Sequence, residues 1–414
     1  MAPPPNACTT PYLAKVFLVG APARVAGLRS ALVTQLNEIE ASGQGPGKSG
    51  APDRDLASGT EARTATLNVS DEETRDFREL AIRVREAGLL DRRPGYYGPK
   101  ISLTIAACAA GWAALLLIGD SWATLGIAAF LGVMFTQLGF VGHDAGHQQV
   151  FRTRRANYVL GLAVGNALMG VSFGWWVPKH SAHHAHPNEP GLDPDLGEGL
   201  VAFTPTDAPT AVQRLAQWLA RRQAWLFFPL MLLRSIGLHI SGIQRLARRR
   251  DRAAAIEALL IVVHLGLYAT AVFLVLPPLK ALAFVVVQQA VFSVYLGCSF
   301  APNHKGMTVI DSGANLSFAR RQVISARNVS GGRLTTFLLG GLNYQIEHHL
   351  FPSMPRPNLA RAQDMVQAFC IERNLGYAKQ TVAGSFGEIV RHLRGLAAGV
   401  ALAPRVAAPY RRSA

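Results

Sequence analysis

The residues best equipped for chemistry in this chain are histidines. There are twelve, and most are clustered. His143-Asp-Ala-Gly-His147 sets two imidazoles at i and i+4, and His180-Ser-Ala-His183-His184 supplies i, i+3 and i+4. Gln345-Ile-Glu-His348-His349 repeats that second spacing with glutamine in the first slot, and His304 stands apart. Residues three and four apart share one face of a helix, so each cluster can aim several donors at a common centre. Neutral imidazole suits iron, zinc and copper. A lone pair at this spacing is a weak signal; three such clusters together are a specific one. Their number exceeds what one metal needs, so two metals fit better than one.

The elements that must position them lie in a membrane. Half of the 414 residues are hydrophobic and only 16% are charged, well under the roughly 25% of soluble domains. Yet the formal net charge is +15. A chain both apolar and basic is a nucleic-acid binder or a membrane protein, and the placement of its charge separates the two. Residues 101–119 and 122–141 are each about a bilayer's worth of charge-free sequence joined at Asp120-Ser121. A second pair, 256–276 and 279–300, is joined at Pro277-Pro278. Lys and Arg number 13 in residues 1–100, 13 in 142–255 and 14 in 301–414; the one left over is Lys280, at the turn of the second hairpin. Nearly all positive charge therefore falls on one side, with both termini there, which is the positive-inside pattern. The basic runs at 152–155, 245–252 and 320–321 would face anionic headgroups. Nucleic-acid binding is set aside, because no recognition module is visible and four lipid-grade stretches would go unexplained.

Topology tests whether the clusters can share a site. Between His184 and His348 the second hairpin supplies an even number of crossings. Between His147 and His180 lies a weaker apolar stretch, 157–177, rich in Gly and Asn. It should dip into or lie on the bilayer. By the same parity 224–243, which carries Arg234 and His239, should be interfacial, since such side chains are costly in lipid.

The rest of the chain is less informative. Residues 1–68 form a poorly ordered extension, with a Gly/Ser/Pro linker at 41–50. Gly45-Pro-Gly-Lys-Ser49 lacks the full spacing and preceding strand of a phosphate loop. Ser70-Asp-Glu-Glu73 reads as a capping box opening an amphipathic helix with Phe77, Leu80, Ile82 and Val84, ending near Gly88. Residues 69–395 make one catalytic unit and 396–414 a flexible basic tail. Four scattered cysteines support neither a disulfide framework nor a zinc ribbon. The start carries no convincing signal peptide. His264, mid-span, is expected to pack or bond between helices; His239 and His392 are expected to be structural or on the surface.

With these strings in place, the chain resembles the membrane fatty acid desaturase family over roughly residues 70–395. The likeness is carried by His143-Asp-Ala-Gly-His147, His180-Ser-Ala-His183-His184 and Gln345-Ile-Glu-His348-His349 around two hairpins. It is sharpened by Trp175-Trp-Val-Pro-Lys-His180, His184-Ala-His-Pro-Asn188, Phe300-Ala-Pro-Asn-His-Lys-Gly306 and Asn343-Tyr-Gln-Ile-Glu-His-His-Leu-Phe-Pro352. These resemble bacterial acyl desaturases that share the Gln-for-His third box with front-end desaturases. The resemblance implies an all-α membrane protein, with four transmembrane helices in two hairpins and a cytosolic helical cap carrying the boxes. It implies a di-iron centre that uses O2 and two external electrons to remove two hydrogens from a fatty acyl chain carried on CoA or lipid. An unactivated methylene offers acid–base groups nothing to attack, so the cofactor must carry that chemistry.

Carried over residue by residue, the metal ligands implied are His143, His147, His180, His183, His184, His304, His348 and His349, with Gln345 retained in the site. Asp144 and Glu347, and less directly Asn303, are candidate acceptors for ligand imidazoles. Phe173, Trp175 and Trp176 are candidates for an acyl tunnel or for interfacial anchors. His186 stays unassigned, and Asp193-Pro-Asp195 matches the family string without a chemistry to attach to it. The HPGG of a fused haem domain is absent, so a separate ferredoxin or flavin-dependent reductase is expected, and the front-end label weakens. Arg outnumbers Lys 34 to 7, which points to a GC-rich genome and a bacterial plasma membrane, with the active site and both termini cytoplasmic. The competing readings are a di-iron lipid hydroxylase of the same superfamily and a histidine-rich membrane metal transporter. A transporter would place its site near the midplane, whereas these boxes begin where the apolar runs stop.

Overall fold

The computed structural model describes residues 60–196, 214–311, 313–398 and 405–406. The chain divides into two units, Met1–Asn68 and Val69–Ala414, and apart from residues 60–68 of one helix everything below concerns the second. The linker, the phosphate-loop look-alike and most of the basic tail lie outside the described residues.

Four helices among the described residues are long and apolar enough to cross a membrane: α2 (Pro94–Ile118), α3 (Thr124–Gly146), α8 (Arg252–Val275) and α9 (Pro278–His304). In lipid, apolar side chains gain little by leaving the tails, so helices associate through close packing and small residues. At the α3–α9 contact Gly132 meets the backbone of α9. A Cβ there would lie 2.7 Å from the Gln288 carbonyl oxygen and 2.8 Å from Val291. Leu115, Leu131, Phe135, Phe284 and Phe292 fill the space around this contact. At the two hairpin turns Lys280 Nζ meets Asp120 Oδ1 at 2.7 Å, and the ammonium also lies 5.7 Å from the Trp122 ring.

The spans run further than their apolar stretches. α3 continues to Gly146 and α9 to His304. Hydropathy stops marking a span where side chains turn polar, but the backbone keeps its i to i+4 hydrogen bonds. His143, Asp144, Asn303 and His304 therefore sit on the ends of membrane helices, not on loops beyond them.

The two weaker apolar segments are both broken. The first comprises α4 (Arg154–Gly161), a π-helical stretch over Leu162–Leu168, and α5 (Phe173–Ala185), bent by 117° at the break. The second comprises α6 (Arg214–Met231) and α7 (Arg234–Ala247), bent by 69°. The first bend exceeds a right angle, a geometry shared by re-entrant segments and broken spans. Broken helices are tolerated at membrane depth only where freed backbone groups find partners. Here Gly170 O accepts from His239 Nδ1 and Ala167 O from His264 Nδ1, both at 3.0 Å. Those two histidines thus have the structural work expected of them. Phe173 folds back over Gly161, where a Cβ would fall 2.1 Å from its ring.

Outside the spans, α1 (Thr60–Glu86) packs on α10 (Phe318–Ile324), α12 (Gln345–Leu350) and α13 (Arg356–Glu372). Leu80, Val84, Val323, Ile346, Met354, Leu359, Val366 and Phe369 form that core. The predicted start of α1 needs correcting. Ser70 is interior to the helix, because residues 60–69 contain no Gly or Pro to stop it. Glu73 instead reaches across to Ser317 Oγ and to Arg320 Nε at 2.9 Å. Of the expected apolar face, Ile82 is half exposed. The remaining described elements are α11 (Arg333–Leu338), α14 (Val382–Ala397) and four very short strands. β2 (Asn328–Ser330) pairs in parallel with β3 (Lys379–Thr381), and β1 (Val309–Ile310) with β4 (Arg405–Val406).

Candidate metal centre

Four elements converge at one end of the bundle. α3 brings His143, with His147 as the residue that ends it; α5 brings His180, His183 and His184. His304 is the last residue of α9, and α12 brings Gln345, His348 and His349. All eight imidazoles expected in the site meet there, in two groups. Ligand atoms of His143, His147, His180 and His348 lie within 4.8 Å of one another, and so do those of His183, His304 and His349. His184 bridges the two: its Nε2 is 3.2 Å from His180 Nε2, and its ring stacks on His349 at 4.1 Å.

The donor set fits metal ions. His147 Nε2, His348 Nε2 and His349 Nε2 are buried without a hydrogen-bond partner among the described residues. Buried nitrogens left so are costly, and convergent ones call for a bound species. Burial first, and neighbouring imidazoles second, push the pKa of His147, His348 and His349 well below the usual histidine value. Neutral rings are what metal ligation needs.

The outer nitrogens separate the groups. His183 Nδ1 faces both Asp193 oxygens at 3.0 Å, His304 Nδ1 donates to Ser325 O at 3.0 Å, and His349 Nδ1 to Gln322 Oε1 at 2.8 Å. In the first group, His143 Nδ1 lies 3.4 Å from Asp144 Oδ1, while both His348 nitrogens lack a partner among the described residues. Asp144 is chiefly engaged elsewhere: its Oδ2 meets Arg356 Nη2 at 2.7 Å and accepts from Tyr97 Oη at 3.0 Å. Ring packing replaces hydrogen bonds here, with Trp176 stacked on His180 at 4.5 Å.

Two expectations need adjusting, those for Glu347 and Asn303. Glu347 turns away from the imidazoles; its carboxylate accepts from Asn328 Nδ2 and from Tyr377 Oη, each at 2.7 Å. Burial pushes its pKa up to about 7, with the two donors opposing. Gln345 lies in the site, its Nε2 2.9 Å from His304 Nε2 and its Oε1 accepting from Asn303 Nδ2 at 3.1 Å. Asn303 therefore supports Gln345 and not a histidine. Of the aromatics, Trp176 walls the centre and Phe173 packs on Trp176, whereas Trp175 makes no ring contact with a histidine among the described residues.

Other contributors escaped the sequence reading. Gln322 carried no motif, and Asp193 stood in a family string with no chemistry attached to it. Glu257, on α8, is buried and accepts from Ser172 Oγ at 2.7 Å and from Gly174 N at 3.0 Å, at the first turn of α5. A carboxylate there suits the positive end of the helix and holds the element that carries three imidazoles. The signal was available, since an acid inside a lipid-grade stretch is a functional-site candidate in itself.

Comparison with known proteins agrees with this geometry. The family model described as "Fatty acid desaturase" matches residues 120–381. An "Acyl-lipid (9-3)-desaturase" of Physcomitrium patens is 31% identical over 79% of this chain and 63% of its own length. A "Delta(5) fatty acid desaturase" of Caenorhabditis elegans is 30% identical over 82% of this chain and 76% of its own. A "Delta(8)-fatty-acid desaturase" of Euglena gracilis is 29% identical over 73% and 74%. The chain thus spans less than two thirds of the first of these relatives and about three quarters of the other two.

Proposed function

Because the chain belongs to the fatty acid desaturase family, we propose that it introduces a double bond into a fatty acyl chain, at a centre of two iron ions. The observation that carries this reading is the pair of adjoining imidazole groups with convergent, unpartnered nitrogens. His143, His147, His180 and His348 would hold one iron, and His183, His304 and His349 the other, with His184 between them. Gln345 would complete the second set, binding through Oε1 once its amide is turned. Bound iron would supply the O2 and one-electron chemistry that removes two hydrogens from an unactivated chain.

The rest is the work of this chain. Asp193, Gln322 and the Ser325 carbonyl fix which nitrogen of each ring faces inward. Glu257 and Ser172 hold the start of α5, and Trp176 keeps water from one side of the first group. The acyl substrate, on CoA or lipid, would approach from the membrane, with electrons from a separate ferredoxin or flavin reductase. The basic segments would keep the histidine end on the cytoplasmic face of a bacterial plasma membrane. Residues 69–395 would constitute this unit.

The test is expression of the full chain in a bacterial host with a compatible reductase, followed by fatty-acid profiling and iron analysis. New unsaturated chains and about two irons per chain are expected. An unchanged profile with iron and reductant both confirmed would overturn desaturation for the chains supplied; a hydroxylated product would move the reading to the hydroxylases.

A further inference from the structure

A cleft with a volume of about 450 Å³ opens where α2 and α13 begin, with Arg92, Arg93, Pro94, Gly95, Asn358 and Arg361 in its lining. Three guanidinium groups share this one depression. Arg92 is tied to the carbonyls of Phe151 and Ser353 at 3.2 Å. Arg93 Nε donates to Asn358 Oδ1 at 2.9 Å and its Nη2 to Gly88 O at 3.3 Å. Arg361 Nη1 makes one long bond, 3.4 Å, to the same Asn358 oxygen. Asn358 is itself buried and anchored to Leu89 O at 2.7 Å.

These partners are neutral oxygens. They hold the guanidinium planes in place but cancel none of their charge, and none of the three arginines forms an ion pair with a carboxylate among the described residues. Arg92 Nη2, Arg93 Nη1, and Arg361 Nε and Nη2 donate to no partner there. Three positive charges around one cleft, those of Arg92 and Arg93 held in place and that of Arg361 weakly tethered, would repel one another, and an anion in it would relieve that. The guanidinium fork matches phosphate oxygens with paired N–H donors. Two helices start at the cleft, adding their positive ends.

Position narrows the ligand class. Pro94 opens a membrane-crossing helix, and Leu103 on α2 is exposed. Eight residues of helix from Gly95 to Leu103 rise about 12 Å, so a phosphate in the cleft would stand at headgroup height above a lipid-facing surface. We propose that this cleft binds the phosphate of an anionic membrane lipid. The inference is independent of the desaturase reading, for none of these residues is in the imidazole groups.

The full chain in neutral detergent would be titrated with dioleoylphosphatidylglycerol, with dioleoylglycerol (same tails, no phosphate) and with inorganic phosphate, following thermal stability and lipid retained in native mass spectra. The phosphate lipid should stabilise more than dioleoylglycerol. Arg361→Glu should weaken its binding about fivefold or more, and Arg93→Gln combined with Arg361→Gln should abolish the difference. Should the double variant fold poorly, Arg361→Glu alone decides, since that side chain is exposed and weakly bonded. Equal stabilisation by inorganic phosphate alone would keep the anion site and assign it to a soluble phosphate. No preference for the phosphate lipid in the wild type, or an undiminished preference in Arg361→Glu, would overturn the proposal.

Discussion

The two imidazole groups are built from the same residue type but held by different means. In the group of His183, His304 and His349, every ring has a hydrogen-bond acceptor behind it: Asp193, the Ser325 carbonyl and Gln322. In the group of His143, His147, His180 and His348, His143 faces a carboxylate at 3.4 Å that is itself paired with Arg356, and neither His348 nitrogen has a partner among the described residues. The first group relies on helix ends and on stacking, as with Trp176 on His180. One set is fixed by directional bonds and should tolerate a loosened fold; the other is fixed by packing and should not. Two metals held in these ways would differ in affinity, the hydrogen-bonded site being the harder to empty.

Substitutions can break this contrast, and the largest effect should come from the ring common to both sides. His184→Ala should abolish product and remove iron from both groups, read as fatty-acid profile and iron per chain. Loss of only half the iron would show that His184 serves one group alone. Next comes Asp144→Asn, which leaves the Arg356 guanidinium buried without its carboxylate, a change worth about 3–5 kcal/mol. It should lower the thermal midpoint of the iron-free protein in detergent. An unchanged midpoint with iron lost would make Asp144 equivalent to Asp193 and end the contrast.

Asp193→Asn should act the other way. It should weaken iron binding by about 10–100-fold in a chelator-competition titration, with a smaller fall in the iron-free midpoint than Asp144→Asn causes. The smallest effect expected is that of Gln322→Ala, about tenfold on the same titration, because a neutral amide is a weaker acceptor than a carboxylate. Identical iron affinity in both variants would show that backbone, and not these side chains, orients the second group.

How much of this was legible depended on whether a signal was periodic or local. The spans and the clusters announce themselves through hydropathy and helical spacing, and both recur in the structure. The expectation for residues 157–177 came from parity alone, and the structure breaks that segment by 117°. Partners brought in from distant elements were not legible. Gln322 lies on a short helix with nothing to mark it, and Asp193 sat in a familiar string without an assignable role. Adjacency misled for Glu347. A residue beside two ligands in sequence seems bound to serve them, but on a helix i and i+1 point about 100° apart. Its carboxylate went to Asn328 and Tyr377. Ser70 misled for the opposite reason: a good cap does not start a helix when the residues before it continue one.

The contact between Asp120 and Lys280 bears on how the protein is made. In the proposed orientation Lys280 is the sole base of 41 that has to cross the bilayer during synthesis, and translocation of a lone ammonium is unfavourable. Its partner belongs to the first hairpin, which emerges from the ribosome about 160 residues earlier and already has its acidic tip on the far side. In that orientation the second hairpin would meet an opposite charge as it arrives, and the 2.7 Å contact joins the tips of the two hairpins. Lys280→Ala should ease insertion of the second hairpin while letting the tips drift apart, and cysteine cross-linking at the two turns would register both effects.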